Sequence, residues 1–419
     1  MDSSDTEIFG LASVGGYLDA LSAITSDMSL KERDDLIHLD KSLHGLWKLG
    51  QNVILCWCPE NEGISLVVVP HYAVAEISHA TARAGAGESR ELWPSRQFLE
   101  TLLCGRRQQT PRQMDEVVRL LGVQRLHLPL RAALASNPAH EDIIEKMIKR
   151  YSITYVPCRA VAQFDIVGFS LLSPFEQMTQ LNSLAYSLNA AQSKLLDRKI
   201  GIDFARATTG DGFYVWNRDL GLDANVNLYH LMYLALADNA IARRRCVHDT
   251  VPKLRAAFHV GRSYEFHQSE GLNPTLYHYI VGDVTLELAR MMECALPHQI
   301  LVGDFRAELG ESSEIGTLEF VSQATKTLSQ LKGLTLSGDR VEWIESYLTG
   351  VRLQGGGFTV RRITVSDRHG ISRHVYNAKA NIYRRKGQPI LLGIEDRLIE
   401  PRNMPYAHTE HMKPTSAAH

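Results

Sequence analysis

Two short segments carry residues whose types and spacing could do chemistry. Phe164-Asp165-Ile166-Val167-Gly168-Phe169-Ser170 puts an acid at the end of an apolar run, then a glycine turn, then the entry to a helical pattern. A carboxylate there can hold a divalent metal, and backbone N–H groups in the turn can take phosphate oxygens. Thr208-Thr209-Gly210-Asp211-Gly212 puts a second acid in a tight turn between two strand-like runs. Taken singly, the first reads as a strand-end cap and the second as a hairpin. Together they say more. In a βαββ unit the first and third strands are neighbours, so Asp165 and Asp211 can face each other. Two carboxylates that close repel unless a cation lies between them. Two Mg²⁺ ions bridged by both would form the clamp used for in-line displacement at phosphorus.

The elements around these acids must deliver that geometry. Thr154–Ile166 reads as a strand. Phe175–Leu196 reads as a helix with Phe175, Met178, Leu181, Leu184, Ala185 and Leu188 on one face. Ile202–Thr209 and Phe213–Trp216 read as strands around the Gly210-Asp211-Gly212 turn. Leu228–Arg245 reads as a helix, Arg255–Val260 and Tyr277–Val281 as strands, Thr285–Glu293 as a helix and Gln299–Val302 as a strand. The order βαββαβ, with one insertion, is that of an α+β, ferredoxin-like sheet with helices on one face.

The flanks carry less chemistry. Residues 1–138 read as a separate mixed α/β region that could sense, dimerise or cover a surface. Asn52–Trp57 and Ile64–Val69 look like a hairpin, Gln113–Leu121 and Leu130–Ala135 like helices, and Ala84–Ser89 like a loop. Asn137-Pro138 opens a helix, with Ile143, Ile144, Met147 and Ile148 as its apolar stripe and Glu145 paired to Lys149 on the polar side. Residues 139–400 read as the catalytic region. Within it, Arg340–Leu348 looks helical. Phe358–Val365 and Ile371–Tyr383 look like a long hairpin turning at Asp367-Arg368-His369-Gly370, with a last strand at Ile390–Ile394. Residues 401–419 read as a flexible tail, with His408 and His411 in solvent.

Composition bounds the function classes. In 419 residues and 46.9 kDa, Lys and Arg total 45 and Asp and Glu total 47, for a formal charge of −2. That balance excludes a basic nucleic-acid-coating protein and an acidic disordered chain. No apolar run approaches the roughly 18–20 residues that span a bilayer. The acidic, polar start lacks a signal-peptide pattern. Six cysteines do not make a disulfide framework, so a reduced, cytoplasmic protein is expected. Cys56 and Cys58 read as buried strand residues. Arg243-Arg244-Arg245 suits a helix C-terminus, and His259 reads as packed in its strand.

With these motifs in order, residues from about 140 to 340 resemble the class III nucleotidyl cyclases, the adenylate/guanylate cyclase catalytic domain. The Phe164–Ser170 segment looks like that family's F-x-D-I-x-G-F-T, and Gly210-Asp211 like its second metal aspartate. Leu254-Arg255-Ala256-Ala257-Phe258-His259-Val260-Gly261 looks like its L-R-x-G-I-H-x-G strand. Val281-Gly282-Asp283-Val284 and Ala289-Arg290-Met291 look like its W-G-D-T-V-N-x-A-S-R-M segment, with Gln299-Ile300-Leu301-Val302 as the strand after it. The resemblance implies that Asp165, Asp211 and the Ile166 carbonyl hold two Mg²⁺ or Mn²⁺ ions. It implies that Gly168, Phe169 and Ser170 offer N–H groups to a nucleoside triphosphate, and that Arg255 meets its β/γ-phosphates. Arg290 would stabilise the pentavalent transition state from the second chain of a homodimer with composite sites. Lys332 or Lys386 would supply the terminal-phosphate lysine.

The departures bear on the base. The position four before the second metal aspartate, Lys in adenylate and Glu in guanylate cyclases, is Ala207. The second base-reading position, Asp or Cys in those enzymes, is Tyr279, and the family's Asn on the dimer helix is Leu286. A smaller base against Tyr279 is then expected, which favours UTP or CTP over ATP or GTP. Arg159–Ser170 and Asn377–Tyr383 look closest to bacterial anti-phage pyrimidine cyclases of the Pycsar type. That implies cyclic UMP or cyclic CMP and a separately encoded effector. A purine cyclase and a silent nucleotide-binding or dimerisation module are the alternatives. A GGDEF-type diguanylate cyclase shares the βαββαβ core, but Gly210–Tyr214 lacks its turn. No nucleic-acid partner and no membrane span are expected.

Overall fold

The structure, a computed structural model, describes residues 28–76, 96–130, 138–269, 276–309, 313–350, 359–366, 370–395, 399 and 408–412. Two compact units divide the chain: residues 1–156 with 264–280, and residues 157–263 with 281–419.

The first unit is built on a hairpin buried on both faces. Helix α1 (Leu30–Trp47) opens with a Ser29/Glu32 capping box. Strands β1 (Asn52–Glu60) and β2 (Gly63–Pro70) pair antiparallel, and β3 (Leu126–Pro129) pairs with β2. Helices α2 (Arg96–Leu103), α3 (Pro111–Leu121) and α4 (Pro138–Arg150) complete it. Leu36, Leu39 and Leu43 of α1 and Ile143, Ile144 and Met147 of α4 pack with Ile54, Trp57, Ile64 and Leu66. On the other face, Leu102, Leu103, Met114 and Val117 of α2 and α3 pack with Val53, Leu55, Cys56, Val67 and Val69. Burial on both faces explains the unbroken apolar runs of the hairpin.

The α4 stripe thus docks on the N-terminal hairpin, and α4 belongs to the first unit. That places the division at 156 rather than 138. Glu145 does meet Lys149, at 3.5 Å, but it is buried rather than on a solvated side. It accepts from Trp57 Nε1 at 2.8 Å and from the N–H groups of Arg107 and Gln108 at 2.6 and 3.0 Å.

The second unit carries one large, mostly antiparallel sheet. Its elements run β4 (Ile153–Ile166), α5 (Pro174–Leu196), β5 (Phe204–Thr208), β6 (Gly212–Asn217), α6 (Leu222–Arg245), β7 (Leu254–Ser269), β8 (Leu276–Val281), α7 (Asp283–Cys294) and β9 (Ile300–Gly303). Then follow β10 (Arg306–Leu309), β11 (Ser313–Gly316), α8 (Thr317–Thr327), β12 (Thr335–Leu336), β13 (Asp339–Leu348), β14 (Val360–Ser366), β15 (Ser372–Arg384), β16 (Ile390–Leu392) and β17 (His408–Met412). The main path is β12-β13-β15-β9-β7-β4-β6-β5. Its β7-β4-β6-β5 portion has the fourth-first-third-second order of a ferredoxin-like βαββαβ unit, as the sequence predicts. β4, β7 and β8 each carry residues of both units, and all of β8 but Val281 belongs to the first.

Period-two alternation splits β4 and β7 into two faces. Ala160, Ala162, Phe164 and Ile166, with Ala256, Phe258 and Val260, join α5, α6 and α8 in the core. Gln163, Asp165, Arg255 and Gly261 lie on the other face. There Gly261 leaves room for Val284 of α7, which a Cβ would meet at 3.3 Å. The expectation of helices on one face therefore fails for α7.

Other expectations change as well. Arg340–Leu348 is strand, not helix. Val341, Ile344, Ser346 and Leu348 are its buried residues, and a bulge between Val341 and Trp343 gives the first step a helical spacing. On α5, Phe175 and Met178 are exposed, because the Ser173/Glu176 capping box starts the helix well before its buried face begins at Gln180. Part of the expected tail is ordered: β17 pairs antiparallel with β14, from Val360↔Met412 to Thr364↔His408. Backbone pairing on an edge strand needs no apolar pattern. The long hairpin forms as β14 and β15, and β16 pairs with β15. Residues 84–89, 131–137 and 367–369 lie outside the described residues.

Candidate active site

Pairing of β4 with β6 sets the two acids side by side. Asp165 is in register with Gly212, and the Ile166 N–H donates to the Asp211 carbonyl at 3.0 Å. Gly212 makes this approach possible, since a Cβ there would overlap the Phe164 carbonyl. Gly210 turns the chain at φ 97°, in the left-handed region glycine favours. Its N–H is held by Thr208 Oγ1 at 3.0 Å. Thr209 Oγ1 donates to Asp211 Oδ1 at 3.2 Å and orients that carboxylate.

Asp165 is 5% exposed. Burial pushes its carboxyl above the ordinary range; Arg255 pulls it back, and the neighbouring Asp211 adds to the rise. Arg255 donates from Nε to Asp165 Oδ1 at 2.7 Å and from Nη2 to Oδ2 at 3.4 Å. Its Nη1 donates to the Ala295 carbonyl at 2.8 Å. The guanidinium expected on the phosphates is therefore the counter-ion of Asp165 in this state.

Beyond β4 the chain forms a cradle. The Val167 N–H is taken by the Lys253 carbonyl at 2.9 Å, and Leu171 N–H closes one turn onto the Gly168 carbonyl at 3.0 Å. Gly168 has φ 74°, and Phe169–Leu171 is a single 3₁₀ turn. Among the described residues, no hydrogen bond uses the N–H of Gly168, Phe169 or Ser170. Three successive N–H groups without acceptors beside a carboxylate pair suit a phosphate chain.

The other expected residues are more scattered. Ala207 lies on β5, paired with Tyr214, and brings no polar side chain. Tyr279 belongs to the first compact unit, and its ring stacks on Phe266 with centroids 5.5 Å apart and planes 13° apart. One face of the expected base-stacking ring is thus covered. Arg290 lies half-buried on the outer stripe of α7 with Leu286. The Gly333 N–H donates to Val341 of β13, and the Lys386 N–H to Asp339. Lys332 and Lys386 thus flank β13, four strands from β4, roughly 19 Å at ladder spacing. Within one chain neither reaches the two acids.

The donor set fits divalent cations. Two adjacent carboxylates and a nearby backbone carbonyl are hard oxygen ligands of the kind such cations take. Arg255 leaves lone pairs on both Asp165 oxygens. The sequence reading missed Gln163 and Tyr214. Gln163 shares the Asp165 face, is 5% exposed, and its Oε1 has no hydrogen-bond partner among the described residues. Tyr214 Oη donates to the Thr285 carbonyl at 3.2 Å, and its phenol is pushed up by burial and by Asp211. Counting back by two from Asp165 would have found Gln163.

No family model and no curated protein matches this chain. Among solved structures it is similar to the adenylyl cyclase CyaB from P. aeruginosa, at 11% identity over 57% of this chain and 97% of that one, with TM-score 0.33. It is also similar to the guanylate cyclase domain of RhGC from Catenaria anguillulae in complex with GTP. There the identity is 13% over 56% of this chain and 100% of that one, with TM-score 0.31. Likeness of this extent decides neither fold nor activity. No described helix is long and apolar enough to cross a membrane.

Proposed function

We propose that this chain is a class III nucleotidyl cyclase, converting a nucleoside triphosphate to a 3′,5′-cyclic nucleotide and pyrophosphate. The observation that carries the reading is the placement of Asp165 beside Asp211 at the mouth of the Gly168–Ser170 cradle. Two bound Mg²⁺ or Mn²⁺ ions would acidify the ribose 3′-hydroxyl and offset charge on the α-phosphoryl group. The chain's own residues do the rest. Asp165, Asp211 and the Ile166 carbonyl would hold the ions. The three N–H groups hold the triphosphate. Asp165 or a water molecule beside it accepts the proton of the attacking hydroxyl. Arg255, paired with Asp165 here, would meet the β/γ-phosphates if cations took over that carboxylate. Arg290 comes from the second chain of a homodimer, where a preplaced guanidinium answers charge in the transition state.

The base is proposed to be a pyrimidine, because Ala207 offers no purine-reading donor or acceptor and Tyr279 is bulky. The product would then be cyclic UMP or cyclic CMP, read in the cytoplasm by a separately encoded effector in anti-phage signalling. A second reading, a silent nucleotide-binding or dimerisation module, draws on the exposed Leu286 where an asparagine would serve catalysis.

The test is turnover of purified protein with ATP, GTP, CTP and UTP offered separately with Mn²⁺, products read by mass spectrometry. A cyclic pyrimidine product, absent in Asp165→Ala and Asp211→Asn, is expected. Cyclic AMP or cyclic GMP as the main product would keep the cyclase and discard the pyrimidine. No product from any nucleotide would favour the silent module.

A further inference from the structure

On the helix-covered side of the second unit, a cavity of about 420 Å³ opens between α6, the start of β7, β9 and β16. Leu236 and Ala240 of α6 with Leu254, Ile300, Leu391 and Leu392 form its apolar wall, and His298, Gln299, Lys379 and Glu395 stand at the rest of the lining. Leu254 is the residue before Arg255, whose side chain points to the opposite face of the strand.

Two polar groups of α6 line the same cavity. Asn239 and Arg243 lie one turn apart on one side of the helix. Asn239 is 4% exposed, and its Nδ2 has no hydrogen-bond partner among the described residues. A buried amide donor left so is costly, and such groups call for an explanation. Arg243 is half-buried and has no carboxylate partner among the described residues. The remaining charges do not cancel it. Lys379 and Glu395 face each other across 3.9 Å. Burial, Arg243 and Lys253 push His298 down, so it stays neutral at pH 7.

We infer that this cavity is a binding site for a small amphipathic organic anion, its carboxylate or sulfonate held by Asn239 and Arg243 and its apolar body among the leucines. A water molecule alone would satisfy the amide but would leave the aliphatic walls and the guanidinium unanswered. A polyphosphate would set charge against leucine.

Anilinonaphthalene sulfonate serves as the probe, titrated into the full chain by fluorescence without nucleotide or metal. One saturable site per chain is expected. Octanoate should displace the probe, and octylamine should not. Arg243→Gln should weaken binding about tenfold, and Asn239→Leu by a similar factor, as loss of a charge-assisted or amide hydrogen bond implies. Ala240→Trp should abolish it by filling the cavity, with circular dichroism confirming the fold. Absence of a saturable site overturns the inference. So does equal displacement by octylamine, or unchanged affinity in both Arg243→Gln and Ala240→Trp. Because turnover is not measured, failure here is distinct from failure of the cyclase reading.

Discussion

Arg255 grips Asp165 with two nitrogens while its third donates to the Ala295 carbonyl, so the guanidinium ties the end of β4 to the end of α7. This pairing holds charge on a carboxylate that burial and Asp211 both oppose. The Asp165 carboxyl nevertheless stays above its ordinary value. A raised folded value means that the folded chain binds this proton more tightly than the unfolded chain does. The stability it contributes is present below the ordinary value, about pH 4, and is lost as pH rises through the folded value. Metal-free urea unfolding across that range should therefore show wild type losing stability relative to Asp165→Asn as pH increases. A flat or opposite difference would contradict the account of the site's charge.

Gly212 is where β6 comes closest to β4, and its missing Cβ sets the separation of the two acids. Gly212→Ala would force the strands apart at Asp165. Overpacking of this kind costs about 3 kcal/mol, and displaced carboxylates should cost more than tenfold in turnover. Urea unfolding and a Mn²⁺-dependent rate check the two effects separately. An alanine variant with unchanged rate would mean that this spacing does not matter.

In the first unit, Glu145 is a buried acceptor for Trp57, Arg107 and Gln108. Glu145→Ala orphans three donors at once and should cost about 3 kcal/mol. Trp57 fluorescence should shift red, and amide exchange should rise in β1 and α4. Preserved protection there would show that the carboxylate is not what fastens α4 to the hairpin.

How far these features were legible differs by residue. Asp165 and Asp211 were readable because a strand-turn-helix and a tight turn are local patterns, and βαββ order fixes which strands adjoin. Residues 339–348 misled because a bulge at Glu342 breaks the strand's alternation and mimics a helical step. Glu145 looked solvated because local pairing with Lys149 says nothing of donors far away in sequence. The grip of Arg255 on Asp165 was not foreseen, since it depends on β7 lying against β4. β17 was invisible because its partner, an edge strand, asks only for backbone.

The proposed base preference is open to a sharp test at two positions. Ala207 is half-buried on β5 and presents only a methyl group. Tyr279 is 45% exposed and stacked on Phe266, so its free face and hydroxyl remain for a ligand. In the adenylate cyclases that the motif resembles, a lysine and an aspartate hold adenine at these two positions. The double variant Ala207→Lys with Tyr279→Asp should raise the ratio of kcat/KM for ATP over UTP at least tenfold, the worth of about one new charge-assisted hydrogen bond. Ala207→Lys alone should move the ratio less, because the lysine would lack the second hydrogen-bonding partner on the base. If the double variant still cyclises its first substrate with an unaltered ratio, positions 207 and 279 do not read the base, and the pyrimidine argument falls while the metal site stands.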